Sequence, residues 1–207
     1  MFTDGHPQGT GARRRWRLVT LLVLAAVASP AAAQQADDRK GLWLGLGAGG
    51  LWARSTCSIC AADQASGLGG RVRLGGTISP KVLASVEGTG WRKRGGQVER
   101  KLLMVAALGS YYPLPDYGAH LKGGIGQYWY VEEDATTELT TQGLALELGA
   151  GYDIRIASGV SVSPFVAWVR SGFGNPTRRD KASGFTLPLL SDMTVKFYQV
   201  GLGITLH

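Results

Sequence analysis

The chain has 207 residues and a formal net charge of +7, a length that fits one domain. Much of the positive charge sits at the N-terminus: without residues 1–33, 18 basic residues face 14 acidic ones, a net +4 that is too mild to imply nucleic acid. After that N-terminal region, no stretch reaches the roughly 18 consecutive apolar residues that a membrane helix needs.

The N-terminus reads as an export signal. Arg13, Arg14, Arg15 and Arg17 precede the apolar run Leu18 to Ala28, and Ala31 and Ala33 supply the small residues of a cleavage site. Residues 1–33 are therefore expected to be a secretory signal peptide cleaved after Ala33, and residues 34–207 the mature domain. No cysteine marks the site, which argues against a lipoprotein. Cys57-Ser58-Ile59-Cys60 holds both cysteines. After export this spacing predicts a local Cys57–Cys60 disulfide. With no second CxxC, and with only His120 and His207 left after cleavage, neither a metal site nor a cofactor is expected.

Eight segments then alternate apolar and polar or small residues, the period of a strand. In the first, Leu42, Leu44, Leu46, Ala48 and Trp52 share a face opposite Gly45, Gly47 and Gly49. In the second, Val72, Leu74 and Ile78 oppose Arg71, Arg73 and Gly75, and Ser79-Pro80-Lys81 makes a tight turn. The third sets Val82, Ala84 and Val86 against Glu87 and Thr89. The fourth carries Leu102, Met104, Ala106 and Leu108 on one face and ends before Pro113-Leu114-Pro115-Asp116. The fifth sets Leu121, Gly123, Ile125 and Trp129 against His120, Lys122, Tyr128 and Tyr130. In the sixth, Leu144, Leu146, Leu148, Ala150, Tyr152, Ile154 and Ile156 oppose Ala145, Glu147, Gly149, Gly151, Asp153 and Arg155. The seventh sets Val160, Val162, Pro164, Val166 and Trp168 against Ser161, Ser163 and Phe165. The eighth sets Val200, Leu202, Ile204 and Leu206 against Gln199, Gly201, Gly203 and Thr205.

Connections after the second, fourth and sixth strands are short. Those after the first, third, fifth and seventh read as longer polar loops. Trp52, Trp91, Trp129 and Trp168 recur at gaps of 39, 38 and 39 residues, near the long-loop end. Tryptophan suits one level of a membrane interface, where ring and N–H are both satisfied. Tyr112, Tyr117 and Tyr152 stand near the other end, so the seven residues are expected to form two aromatic girdles. Trp91 alone is out of phase with the apolar face of its strand. Glycines crowd the charged faces, and small residues suit a narrow eight-stranded interior. The reading is all-β: an eight-stranded antiparallel up-and-down transmembrane β-barrel, apolar faces to lipid and charged faces to the lumen.

The leader, the eight alternating segments and the long apolar final strand Phe197 to His207 resemble the small outer-membrane barrel families of the OmpA transmembrane domain, OmpX and OmpW. The final strand ends in Leu206-His207, where those families usually end in an aromatic residue. The resemblance implies residence in the bacterial outer membrane, contact with its lipid and lipopolysaccharide, insertion by the barrel assembly machinery, and a monomer.

The lumen set would be Arg71, Arg73, Lys122 and Arg155 against Glu87, Glu147 and Asp153, close enough to neutrality for a closed interior of ion pairs. Glu147 and Asp153, six residues apart on one strand, lie roughly 20 Å apart, too far to act on one bond. There is no His-x-Ser and no Gly-x-Ser-x-Gly elbow, so no enzyme is expected. Arg92, Lys93, Arg94, Arg100 and Lys101 in the second loop, and Arg170, Arg178, Arg179 and Lys181 in the fourth, are candidates for lipopolysaccharide phosphates. Glu132, Glu133, Asp134 and Glu138 make the third loop acidic. A structural or surface-interaction role follows. A small pore for small or apolar compounds is the alternative, and a lipid A-modifying enzyme a more remote one.

Overall fold

The computed structural model describes residues 39–57, 63–172, 174, 176–189 and 193–207, with the backbone alone at Cys57 and Asp63. The expected signal peptide and the Cys57–Cys60 bond lie outside the described residues. Alternating sequence becomes strand almost throughout: β1 (Leu42–Cys57), β2 (Asp63–Ser79), β3 (Val82–Gly95), β4 (Val98–Tyr111), β5 (Ala119–Glu133), β6 (Thr137–Tyr152), β7 (Ile154–Ala157), β8 (Val160–Ser171), β9 (Thr177–Asp180), β10 (Thr186–Pro188) and β11 (Met193–Leu206). β7 continues β6 past Asp153 without a change of register, since Gly151 faces Phe165 and Ile154 faces Val162. These two form one stave. With β1 to β5, β8 and β11 they make eight antiparallel staves in up-and-down order.

The ring closes between the first and last strands, from Leu44↔Leu206 to Cys57↔Met193. Closure leaves the staves no unpaired edge, so backbone donors and acceptors are satisfied without water. The inward positions of this seam are small over much of its length: Gly45 faces Thr205, Gly47 faces Gly203 and Gly49 faces Gly201.

One end of the barrel carries the described start of the chain, the C-terminus and the tight turns. There the carbonyl of Gly159, in a turn at φ +70°, accepts the N–H of His207 at 2.8 Å. At the far end the expected long loops are mostly strand. β3 and β4 are joined by Gly96-Gln97 alone, with Gly96 at φ +62°, and β5 and β6 by residues 134–136. The polar segments extend the hairpins because their charges pair across strands, as the far-end ladder described below shows. Only the β8–β11 connection is a long excursion, and it holds the β9–β10 hairpin, which prolongs the sheet beside β6.

The two faces are inverted relative to a water-soluble barrel. Leu46, Leu74, Ile125, Leu148 and Leu202 are exposed, while Glu87 and Glu147 are each 1% exposed. From Leu42 to Trp52, ten residues along a strand rising about 3.3 Å each and tilted about 40°, the outward belt is about 25 Å tall, the height of a bilayer's apolar layer. Strand β4 departs from expectation. Leu102, Met104, Ala106 and Leu108 point inward, and Leu103 and Val105 point out. Both faces of β4 are apolar, so alternation alone does not choose between them.

Candidate functional site

Inside the barrel, side chains sort into two halves. In the half nearer the termini, Lys122 on β5 bridges two carboxylates. Its Nζ lies 2.9 Å from Glu87 Oε2 on β3 and also contacts Glu147 Oε1 on β6. Arg73 Nε stands 3.2 Å and Arg71 Nη1 3.7 Å from the same Glu87 oxygen, and Arg73 donates to Ser110 Oγ at 3.2 Å. Thr89 donates to Glu87 Oε1. Gly149 makes room for this arrangement, since a Cβ there would come within 2.8 Å of the Lys122 chain. Arg71 starts on β2 and crosses the inner face of β1 and β11, passing Gly47 and Gly203, until its guanidinium lies 3.2 Å from the ring centroid of Phe165 on β8.

Closer to the termini, Asp153 accepts hydrogen bonds from Tyr112 OH at 2.7 Å and Ser163 Oγ at 2.6 Å. His120 Nδ1 is 3.7 Å from Asp153 Oδ1 and 3.3 Å from the Gly118 carbonyl. Arg39 stacks over the Tyr112 ring at 4.0 Å. Serine, histidine and aspartate thus meet, but the serine gives its proton directly to the carboxylate and not to the imidazole. This is a structural clasp rather than a nucleophile–base pair.

The far half of the interior is mostly apolar, with Gln199, Thr141 and Ser171 buried among its side chains. Leu51, Trp91, Leu102, Met104, Tyr128, Val169, Val195 and Phe197 belong to one buried cluster. Most of its members are large, and these come from six staves.

The far-end rim is a ladder of ion pairs. Arg92 and Arg94 (the latter at 3.1 Å) hold Glu99, Arg100 holds Glu132 at 3.3 Å, and Lys101 holds Glu133 at 2.5 Å. Lys181 joins Glu133 at 3.5 Å and donates to the Asp134 carbonyl at 2.7 Å. The Arg92 hydrogen bond, followed by that of Arg94, brings the Glu99 carboxyl down to about 2. Asp134 lies well below the usual carboxylate range because the N–H groups of Thr137 and Thr136 donate to it.

Set against the expected sites, Arg71, Arg73, Glu87, Lys122 and Glu147 meet in one network, and Asp153 sits in the neighbouring clasp. Arg155 stands across from Ser161, two residues from the β7–β8 turn, and is exposed beyond the last interior layer. In the girdles, Trp52 and Tyr117 are exposed, and Trp129, Trp168 and Tyr152 are half-buried on outward positions. Trp91 and Tyr112, each 4% exposed, point inward. Trp91 shares the parity of Glu87 and Thr89, so its phase on β3 makes it a lumen residue. Tyr112 follows the inverted phase of β4, and Tyr111 faces outward in its place. Sequence alone assigns no site role to Ser110, Ser163 or most of the apolar cluster; inward parity is the signal that places them in the lumen.

A family model described as outer membrane protein beta-barrel domain matches residues 19–189. Among solved structures the fold is similar to Neisserial surface protein A, at 13% identity over 81% of this chain and 97% of that one, with a TM-score of 0.55. It is also similar to the outer membrane protein OprG of Pseudomonas aeruginosa, at 16% identity over 82% of this chain and 97% of that one, with a TM-score of 0.50. No curated protein matches the chain by sequence. The inverted faces, the closed ring of eight staves and the family match agree: the chain belongs to the outer membrane protein beta-barrel family and resides in the bacterial outer membrane.

Proposed function

We propose that the protein is a non-conducting, non-catalytic monomer, inserted by the barrel assembly machinery, that acts through its outer rim by contact with lipopolysaccharide or a surface partner. In this fold tight turns face the periplasm, so the far end is the outer one. The observation that carries the reading is the apolar cluster around Tyr128, Met104 and Phe197 in the outer half of the bore. A water-filled pore needs polar walls, and this half offers mostly methyl groups and rings, with Gln199, Thr141 and Ser171 as its buried polar groups. With the bore filled, the surface left for interaction is the rim and its charged hairpins. Planar-bilayer recordings of the refolded protein test the reading directly. No stable conductance is expected, and a reproducible open channel overturns it in favour of a pore. Lipid A recovered from cells expressing the protein should keep its mass; a changed mass would mark an enzyme.

A further inference from the structure

On the outward face, strands β8, β11, β1 and β2 carry two rows that sequence distance hides. Trp168, Tyr198, Trp52 and Ser66 stand side by side in register. One outward step further toward the far end stand Arg170, Lys196, Arg54 and Gln64. Three of these strands repeat the same order: aliphatic residues, then an aromatic, then a cation. On β1, Trp52 closes the belt about 25 Å above Leu42 by the rise and tilt of a strand. Because the staves are tilted, the row climbs by about 3 Å per strand and lies along the end of the acyl layer, not at one level. On each strand the cation lies about 5 Å above its own aromatic, toward the headgroups.

Like charges directly opposite on neighbouring strands repel. Here three stand in a line, and no carboxylate occupies a register position beside any of them: Arg54 is flanked by Lys196 and Gln64, Lys196 by Arg54 and Arg170, and Arg170 by Lys196 and Leu146. The opposite side of the rim is different. There Lys101, Arg92, Arg94 and Arg100 are each met by glutamate. Of the cations expected to meet phosphate, Arg92, Arg94, Arg100, Lys101 and Lys181 are thus met by glutamate within the protein, whereas Arg170 belongs to the row that leaves its compensation to something outside. A surface hollow of about 450 Å³ opens between Trp52, Tyr198, Arg54, Lys196 and Gln64.

We infer that Arg54, Lys196 and Arg170 bind the phosphate headgroup of an anionic outer-leaflet lipid, whose acyl chains run down over Trp52, Tyr198 and Trp168. Arginine offers forked donors to phosphate oxygens, and lysine adds a point charge. Gln64 supplies a neutral donor at the end of the row. This deepens the reading of the protein as a surface-contact barrel, and it rests on the far end being the outer one.

The test is lipid retention. The full-length mature protein is refolded into phosphatidylcholine vesicles containing bisphosphorylated lipid A, then extracted in mild detergent and weighed by native mass spectrometry. A parallel preparation uses lipid A from which both phosphates have been removed. Wild-type protein should retain the bisphosphorylated form at least tenfold better than the dephosphorylated form, with retention falling as salt rises. The triple variant Arg54→Gln, Lys196→Gln, Arg170→Gln should lose that tenfold preference. A control, Arg92→Gln with Arg94→Gln, should keep it. Equal retention of both lipids by wild-type protein overturns the inference without any variant, and so does an undiminished preference in a triple variant that shows the heat-modifiable gel shift of a folded barrel. Conductance measured on the same preparations reports on the non-conducting reading separately, so that one can fail while the other stands.

Discussion

The two halves of the bore solve one problem in opposite ways. Around Lys122 the half nearer the termini is filled by charges that satisfy each other: Arg71, Arg73 and Lys122 against Glu87 and Glu147, with Asp153 clasped by Tyr112 and Ser163. Around Phe197 the far half is filled by shape. An ion-paired core fixes geometry, since each charge needs its partner at one distance and one angle, but it tolerates loss of a partner poorly. An apolar core tolerates exchange among residues of similar volume and fails when volume is removed. The difference teaches that one narrow barrel can pack its interior by either means, and that each packing has its own way of breaking.

The largest effect is expected in the charged half. Lys122→Ala leaves Glu87 and Glu147 facing one another without their shared cation and should cost about 3–5 kcal/mol, read from the urea midpoint of the heat-modifiable gel shift. Adding Glu147→Gln should return more than about 1 kcal/mol of this, because the two sites are coupled. If the double variant is no better than the single one, the carboxylates do not share that lysine.

Phe197→Ala should cost about 3 kcal/mol through cavity and lost transfer energy, whereas Phe197→Leu should cost well under half as much. Equal losses from the two would mean that the far half is not packed by volume. Leu148→Arg changes the lipid-facing side that both halves share. At mid-belt it should cost about 2–4 kcal/mol, and Glu147→Gln less, in refolding yield into lipid. The reverse order would exchange inside and outside.

The smallest effect lies outside the bore, in the rim ladder. Glu99 is depressed to about 2 by Arg92 and Arg94. A carboxyl lowered on folding stabilises fully above its unfolded value, near 4.5, and loses that contribution as pH falls toward its folded value. The Glu99 carboxyl resonance should therefore titrate near 2 in micelles, and the Arg92→Gln, Arg94→Gln variant should move it back toward 4.5.

Much of this was legible from alternation, because lipid on one side and a crowded bore on the other impose period two on most staves. Val200, Leu202 and Ile204 against Gln199 and Gly201, for instance, left no choice of face. Where both faces are apolar, as around Leu102 and Leu103, parity is silent. Tyr112 was assigned outward although Tyr111 faces lipid. Trp91 was misread for a different reason: its even spacing from the other tryptophans outweighed its phase with Glu87. Contacts across staves were beyond reach, because they depend on register. Lys122 meets Glu87 from 35 residues away, and Arg54 stands beside Lys196 only once the ring has closed.

The path of Arg71 has a consequence for how that ring stays closed. The first and last strands are held by their backbone ladder, but their inner surface near Gly47 and Gly203 offers no side chains to interlock. Arg71 lies over that bare join like a latch, rooted on one side in β2 and resting on Phe165 of β8 on the other. To part β1 from β11, the guanidinium must leave the Phe165 ring, while Glu87 on β3 stays on its own side of the join. Opening at the join is thereby tied to the loss of a contact inside the barrel, that of Arg71 with Phe165.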